Sequence, residues 1–328
     1  MAPIDPGSFV LVTGGNGFIA AHCIATLLRS NYRVRATVRS FEKGEATRKS
    51  LSSAGVGNLS LLEIAVVPDP TDLNAFTAIL HGCQAILHLA SAFNYDAVPG
   101  EFEEKLMIPA VRGTQVVCEA ARLDSNIRRV VIMSSFASVY DASLGLQPGR
   151  VYTENDWCPL TYEDGVTASM VPTAYRASKV VAERAAWDYI RDNPVQYQLI
   201  TLCPGMVFGR MIHPISSLSQ LNASNQIIWQ VLSAGKDAEV PPTKAPGSGN
   251  ERFLVTQASY DTQEVADIIR SGLPDRQRVP VGEPGKRIAD AHYSCDSSKV
   301  QELLGVRFRK LEESIIPLAN QLYDMEGV

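Results

Sequence analysis

Short apolar runs alternate with longer amphipathic segments through the first 205 residues of this 328-residue chain. Strands that are apolar almost throughout, separated by segments of helical period, predict a parallel sheet whose two faces are both covered by helices. The predicted strands are FVLVT (9–13), YRVRATV (32–38), LSLLEIAVV (59–67), QAILHLA (84–90), RRVVIMSS (128–135) and QLITLCP (198–204). The predicted helices lie near residues 17–30, 42–54, 72–80, 101–123 and 173–192. The pattern is typical of a doubly wound α/β fold.

The turn after the first predicted strand is rich in glycine and leads directly into a helix. From Thr13 to Ala20 it reads TGGNGFIA. Strand, glycine turn and helix stand in the order that a dinucleotide pyrophosphate requires, because glycines let the backbone approach the phosphates and the helix N-terminus supplies N–H groups. The turn carries no Walker lysine, which excludes a P-loop. We therefore expect a Rossmann-type dinucleotide site.

The alternation stops after Pro204, where Ser, Asn and Pro become frequent and shorter elements follow. This change predicts two domains. Residues 1–205 would form a Rossmann domain that holds the cofactor and the catalytic residues. Residues 206–328 would mainly form a smaller substrate-binding domain, with some segments returning to the first.

Charge and composition exclude several classes of partner. The formal net charge of -5 argues against nucleic acid and against anionic membranes. No apolar run approaches the roughly 20 residues that cross a bilayer, and the N-terminus lacks the pattern of a signal peptide, so we expect a cytoplasmic protein. The six cysteines and five histidines lack metal-ligand spacing. We therefore predict free thiols and no metal site.

The end of the second predicted strand distinguishes the two nicotinamide cofactors. A basic residue there binds the 2′-phosphate of NADPH, whereas an acidic one binds the free ribose hydroxyl of NADH. Arg39 ends the strand, Lys43 follows one turn into the next helix, and the nearby acid Glu42 lies too far along that helix. The pattern predicts NADPH. Asp69 is placed to meet the adenine, although an Asp in a Pro-Asp-Pro turn also has a backbone role.

Tyr175 and Lys179 stand four residues apart, on one face of the helix predicted at 173–192. A phenol has an ordinary pKa of about 10, and a neighbouring ammonium stabilises its phenolate. Ser135 ends the fifth strand, and parallel sheets gather active groups at the carboxyl ends of their strands. We predict that Ser135 hydrogen-bonds a substrate carbonyl, that Tyr175 protonates its oxygen, and that Lys179 stabilises the phenolate and holds the cofactor ribose.

Two further segments are predicted to frame the nicotinamide, because they close the fourth and sixth strands: 88–93 and 204–209. His88, on an apolar strand, is expected to be a packed, hydrogen-bonded residue rather than an acid or base. An apolar wall suited to hydrophobic or aryl ketones is predicted next to the loop 157–170, from Phe93, Tyr140, Met206 and Trp229.

Taken together, the motifs resemble the extended short-chain dehydrogenase/reductases: TGxxGFIA, Ser135, Tyr-x-x-x-Lys and PGxVxG (204–209). Arg39 with Lys43, HLAS (88–91), PAVRGT (109–114) and DSSKVQELLG (296–305) resemble the dihydroflavonol-reductase/cinnamoyl-CoA-reductase branch. Within it, the fungal NADPH-dependent aldehyde and ketone reductases of methylglyoxal type fit best. The resemblance implies a Ser135–Tyr175–Lys179 triad. It also implies an NADPH site made by Tyr175, Lys179 and the following residues: Gly14, Asn16, Gly17, Phe18, Ile19, Arg39, Lys43, Asp69, Pro70, Leu89, Ala90, Ser91, Pro204, Val207 and Ser224.

The chain departs from this family at two positions. Ile108 precedes Pro109 where many extended members carry Asn, so the resemblance supplies no fourth, structural residue of the site. Tyr140 follows the serine strand, where plant flavonoid enzymes often carry Asn or Asp. A flavonoid substrate is therefore disfavoured.

The expected activity is reduction of an aldehyde or ketone to an alcohol with NADPH, by a monomer or a homodimer. Two alternatives remain open. A nucleotide-sugar epimerase or dehydratase uses the same Tyr and Lys but retains its cofactor, and the C-terminal half carries arginines for a diphosphate at positions 252, 270, 276 and 278. A catalytically silent NADP-sensing module is disfavoured by the intact Ser135, Tyr175 and Lys179.

Overall fold

The computed structural model describes residues 4–91, 96–239, 252–257, 260–273, 278–287 and 292–327. Its strands are β1 (Phe9–Thr13), β2 (Arg33–Val38), β3 (Leu62–Val66), β4 (Cys83–His88), β5 (Arg129–Met133), β6 (Val151–Tyr152), β7 (Gln198–Pro204), β8 (Arg252–Val255) and β9 (Ser294–Cys295). Its helices are α1 (Phe18–Arg29), α2 (Phe41–Ser53), α3 (Leu73–Ile79), α4 (Ile108–Leu123), α5 (Tyr162–Val166), α6 (Val171–Asp192), α7 (Ala223–Ser233), α8 (Thr262–Gly272), α9 (Ser298–Leu304) and α10 (Leu311–Glu326).

Contacts between Cα atoms divide the chain into two compact units. The first contains Met1–Val139, Trp157–Cys203 and Ile212–Pro214, and the second contains Tyr140–Asp156, Pro204–Met211 and Ile215–Val328. In the second unit, α7, α8 and α10 pack on one another, and β6 pairs in parallel with β9. The predicted division between residues 205 and 206 stays a prediction.

The first unit is built on parallel strands in the order β3-β2-β1-β4-β5-β7. Successive strands are added outward from β1 in one direction and then, from β4, in the other. Between β1 and β4 lies the switch point, where the connections leave a crevice at the carboxyl ends of the strands. The predicted α/β fold, a doubly wound parallel sheet of Rossmann type, is confirmed.

Strand β1 shows why the strands of this sheet are apolar almost throughout. Phe9 and Leu11 belong to a buried cluster to which α3, α4 and α6 contribute. Val10 and Val12 belong to a second cluster, formed with α1 and α2. Side chains alternate across a strand, so helices cover both faces and each face requires apolar residues.

Several elements differ from the prediction. The segment predicted as a helix from 101 to 123 begins with a π-helical turn, Glu103–Met107, before α4. The segment predicted as a strand from 59 begins with a 3₁₀ turn, Leu59–Leu61. The short elements β6, β8, β9 and α5 are not predicted, because two to five residues are too few for a periodic pattern.

Two further features concern the cysteines and the lengths of the helices. Among the described residues, none of the six cysteines forms a disulfide, and Cys83, Cys118, Cys158 and Cys203 are buried. Within the ranges given above, none of the helices has the length and apolarity that a membrane span needs.

Candidate active site

A cleft of about 290 Å³ lies in the first unit, where the chain leaves the carboxyl ends of β1, β2, β4 and β5. This is the crevice expected at the switch point of a doubly wound sheet. Many of the predicted cofactor residues line it: Gly14, Asn16, Gly17, Arg39, Lys43, Pro70, Leu89, Ala90, Ser91 and Lys179. The strand ends therefore bring residues from five separate segments into one site.

The glycine turn requires glycine at two positions for different reasons. Gly14 has φ +67°, and a Cβ there would lie 3.0 Å from the Cα of Ala90. At Gly15 a Cβ would lie 2.8 Å from the Cβ of Ala36. Gly17 precedes α1, whose N-terminus is capped by no described side chain and whose first turn has no acidic residue. Its first N–H groups are therefore available to an anion in the cleft.

We expect Gly14→Ala to lower the free energy of unfolding by about 2–4 kcal/mol, because a left-handed backbone and a close contact both oppose the methyl group. Gly55→Ala is the matched control. Its φ is +72°, but no heavy atom lies within 4 Å of the added methyl group. Urea unfolding should show a loss of only about 1–2 kcal/mol there. Equal losses in the two variants would contradict the role of the Ala90 contact.

Two exposed cations face the cleft beyond the end of β2. Arg39 directly follows the strand, and Lys43 lies in the first turn of α2, whose N-cap Ser40 accepts a hydrogen bond from the Lys43 N–H at 3.4 Å. Arg35, earlier on the same strand, is instead paired with Glu63 at 2.8 Å. Arg39 and Lys43 are therefore the basic residues of this region that can bind a phosphate in the cleft.

Thr13 and His88 order the floor of the cleft. The backbone N–H groups of Leu89 and Ala90 donate to Thr13 Oγ1 at 3.1 and 3.0 Å, and His88 Nδ1 lies 2.9 Å from the same oxygen. Because this oxygen already accepts two hydrogen bonds, we infer that the Thr13 hydroxyl donates a hydrogen bond to His88 Nδ1. Burial, and then the charge of Lys179, lower the pKa of His88 to about 4. His88 is therefore neutral near pH 7 and acts as a packed, hydrogen-bonded residue.

The predicted catalytic residues lie on adjoining elements of the first unit. Ser135 precedes the 3₁₀ turn Phe136–Ser138, which packs against α6, and its Oγ accepts a hydrogen bond from the Ala137 N–H at 3.1 Å. On α6, Lys179 Nζ lies 5.9 Å from the centre of the Tyr175 ring. Lys179 is only 8% exposed. Burial lowers its pKa to about 8, with Cys203 and Glu183 opposing this effect.

Other predicted residues of the first unit lie outside the lining of the cleft. The ring of Phe18 packs against His22 and His213, with centroids 5.6 Å apart in each case. Asp69 accepts hydrogen bonds from the N–H and the hydroxyl of Thr71 at 2.8 and 2.7 Å, which lowers its pKa. Of the described predicted residues, those of the first unit that do not line the cleft are Phe18, Ile19, Asp69, Ser135 and Tyr175. Their assignment stays a prediction.

Ile108, at the position of the family's Asn, is the first residue of α4 and is 46% exposed. Its side chain has no hydrogen-bonding group. The site therefore gains no fourth polar residue from this position.

In the second unit, the loop after β7 is bound to the start of α7. The Val207 N–H donates to Ser224 Oγ at 3.1 Å, and Asn225 Nδ2 donates to the Gly209 carbonyl at 2.9 Å. Pro204 is the last residue of β7. The predicted wall residues Tyr140, Met206 and Trp229 are half-buried, whereas Phe93 lies outside the described residues.

Sequence reasoning missed several residues of this site. Thr13 is a polar residue at the end of an otherwise apolar strand, and this contrast is a usable signal. Thr37 Oγ1 accepts from the Gly14 N–H at 3.3 Å. Ser134 and Glu183 line the cleft. Glu183 follows Lys179 by four residues, the same spacing that singled out Tyr175 and Lys179. Within the described ranges, no three His, Cys, Asp or Glu side chains are grouped as a metal site requires.

The fold and the cleft define a dinucleotide-binding α/β protein. The model of the NAD dependent epimerase/dehydratase family matches residues 10–252, and the chain belongs to this family. The match confirms the superfamily that the motifs predicted.

Individual relatives cover nearly the whole chain. The NADPH-dependent methylglyoxal reductase of Saccharomyces cerevisiae is 30% identical over 97% of this chain and 99% of its own length. A ketoreductase of Aspergillus niger is 29% identical over 93% of this chain and 95% of its own length. The crystal structure of yeast methylglyoxal/isovaleraldehyde reductase complexed with NADPH has a TM-score of 0.85 and 29% identity, covering 97% of this chain and 99% of that one.

Proposed function

We propose that this chain reduces aldehydes or ketones to alcohols with NADPH and that Tyr175 is the proton donor. One observation carries the proposal: a single cleft is lined by the glycine turn, by the cations Arg39 and Lys43, and by the buried Lys179. The relatives described above are NADPH-dependent or ketone reductases, and they confirm the predicted reaction class and cofactor. The proton donor is supported by the position of Tyr175 beside Lys179.

The residues of the cleft fit NADPH. The glycine turn packs closely against Ala36 and Ala90 at the edge of the cleft, and the N-terminus of α1 offers N–H groups to a pyrophosphate. Arg39 and Lys43 supply two cations for the 2′-phosphate, where an acid would be expected for NADH. NADPH supplies the hydride for the carbonyl carbon. We assign the remaining cofactor contacts to the predicted residues: Asn16, Gly17, Phe18, Ile19, Asp69, Pro70, Leu89, Ala90, Ser91, Tyr175, Lys179, Pro204, Val207 and Ser224.

Three side chains stabilise or neutralise the negative charge that develops on the carbonyl oxygen. As hydride adds to the carbonyl carbon, the Tyr175 O–H transfers its proton to that oxygen, and the Ser135 hydroxyl donates a hydrogen bond to it. Lys179 stabilises the phenolate that remains on Tyr175 and donates to the ribose hydroxyls. The phenolate then regains a proton from solvent, so each turnover consumes one hydride and one proton.

The pH dependence of turnover should follow Lys179. Only its protonated form stabilises the phenolate, and burial holds its pKa at about 8. We therefore expect kcat at saturating NADPH to fall as the pH rises through about 8. Lys179→Arg is the control, because guanidinium stays protonated, and its kcat should show no such fall. A wild-type profile that is flat to about pH 10, the ordinary range of lysine, would contradict the assignment.

The substrate wall is assigned to Tyr140, Met206 and Trp229, together with Phe93. Apolar and aromatic walls favour hydrophobic or aryl ketones. Replacing Trp229 with Ala should change the preference between aryl and small aliphatic ketones. An unchanged substrate range would exclude Trp229 from the wall.

We also propose that the enzyme acts in the cytoplasm as a monomer or homodimer. Light scattering of the purified protein distinguishes the two oligomeric states.

A panel of simple and aryl aldehydes and ketones tests the function, with NADPH absorbance as the measurement. The proposal predicts NADPH oxidation that depends on the carbonyl compound. An epimerase or dehydratase would convert its substrate without net oxidation of NADPH. A silent NADP-binding module would bind the cofactor and oxidise none with any compound.

A further inference from the structure

A buried carboxylate lies beside the catalytic residues and has no role in the chemistry described above. Glu183 is 1% exposed and follows Tyr175 and Lys179 along α6 by eight and four residues. This spacing places the three side chains on one face of the helix. A buried ionisable group is costly unless other groups compensate its charge. Specific partners must therefore compensate the buried charge of Glu183.

Those partners are four donors that converge on the two carboxylate oxygens. Ser134 Oγ and Ser138 Oγ each lie 2.6 Å from Glu183 Oε2. Thr201 Oγ1 donates to Oε1 at 2.7 Å, and the Cys203 thiol lies 3.6 Å from Oε2. An ionised carboxylate only accepts, at about four lone-pair sites. Short hydrogen bonds from hydroxyls are typical of the charged form.

The donors come from the segments that surround the catalytic serine. Ser134 precedes Ser135 in the chain. Ser138 Oγ lies 2.7 Å from the Ser135 carbonyl oxygen, so its one proton is shared between that oxygen and Glu183. Thr201 and Cys203 belong to β7. A single side chain of α6 therefore binds both the turn that carries Ser135 and the neighbouring strand.

Glu183 also acts on Lys179 through its charge. The titratable groups that face Lys179 are Tyr175 and Glu183 on α6, Cys203 on β7 and His88 on β4. His88 is neutral near pH 7, because its pKa is lowered to about 4. Cys203 and then Glu183 oppose the effect of burial on the ammonium, and among the described residues Glu183 is the carboxylate that does so.

We propose that Glu183 is a positioning residue of the reductase: it keeps Lys179 protonated and holds the turn bearing Ser135 against the helix bearing Tyr175. The inference rests on the proposed function, because it assumes that Lys179 and Ser135 act in reduction. It assigns Glu183 no contact with substrate or cofactor and no proton transfer. Its influence is exerted through the two residues that it holds.

The pH profile of Glu183→Gln tests the electrostatic part. Removal of the negative charge should lower the pKa of Lys179, so the alkaline fall in kcat should move to lower pH. If Glu183 had only a structural role, its replacement would lower kcat by the same factor at every pH. The pH of the alkaline fall would then stay unchanged. That second result would overturn the electrostatic part.

Ser138→Ala tests the positioning part, and it remains informative if Glu183→Gln fails to fold. It keeps the charge of Glu183 but removes the hydroxyl shared with the Ser135 carbonyl. We expect kcat to fall about tenfold, with the alkaline fall still at the wild-type pH. An unchanged kcat would overturn the positioning part. A change in the pH at which kcat falls would contradict the separation of the two roles.

A measurement without turnover separates this inference from the proposed function. The side-chain resonance of Lys179, assigned with Lys179→Arg, is titrated by NMR in the cofactor-free protein. The midpoint should lie near the pKa of about 8 in the wild type and lower in Glu183→Gln. Equal midpoints would overturn the electrostatic part of the inference even if carbonyl reduction is observed. A lower midpoint without carbonyl reduction would contradict only the proposed function.

Discussion

Tyr175→Phe is expected to lower kcat for carbonyl reduction by about 10²–10⁴-fold, the contribution typical of a positioned general acid. The variant loses the phenolic O–H that protonates the developing alkoxide. The ring remains, so its packing on α6 and its contact with Lys179 should persist. Tm should therefore change little, and NADPH should still bind, as fluorescence titration would show.

Tyr189→Phe is the matched control for this variant. It makes the same substitution on the same helix, where the phenolic oxygen accepts a hydrogen bond from Arg122 at 2.9 Å. Its kcat should stay within a few-fold of the wild-type value. A Tyr175→Phe enzyme with undiminished kcat would show that the proton comes from another group.

Arg39→Asp should lower the ratio of kcat/KM for NADPH to that for NADH by about 10²-fold or more. Hydrogen bonds between charged groups contribute about 1.5–3 kcal/mol each. The introduced carboxylate also repels the 2′-phosphate and accepts from the free ribose hydroxyl of NADH. Steady-state kinetics with both cofactors, at one ionic strength and one carbonyl substrate, measure the ratio.

Arg33→Asp controls for the change in net charge. Arg33 is the first residue of β2, the strand that Arg39 follows, and it is exposed and paired with Glu63 at 3.2 Å rather than facing the cleft. The cofactor ratio of this variant should equal that of the wild type. An Arg39→Asp ratio no different from the Arg33→Asp ratio would refute the assignment of the 2′-phosphate site.

The sheet was predictable because its signals are local. The apolar run of β1 ends at the glycine turn and that of β7 ends at Pro204, and both strands have the predicted bounds. The π-helical turn before α4 has no periodic signature that separates it from an α-helix. The short strands β6 and β9 depend on pairing with each other, more than 140 residues apart in the chain.

The residues of the site differ in the same way, because some belong to short-range patterns and others meet only through long-range contacts. The glycine turn and the pair Tyr175 and Lys179 are short-range patterns, so the sequence predicts them. The contact of Thr13 with His88 joins two strands separated by 75 residues. The donors to Glu183 come from β7 and from the segment after β5, and only the folded chain brings them together. A buried polar cluster of this kind has no signature in the local sequence.

Transfer of a labelled hydride shows directly whether this chain reduces a carbonyl compound with NADPH. The enzyme is supplied with NADPH deuterated at C4 of the nicotinamide, on each face in turn, and an accepted ketone, and the alcohol is analysed by mass spectrometry. We expect one deuterium at the carbinol carbon with one labelled face and none with the other, and one NADPH oxidised per alcohol formed. Product formed without deuterium from either face, or with no net oxidation of NADPH, would contradict this expectation.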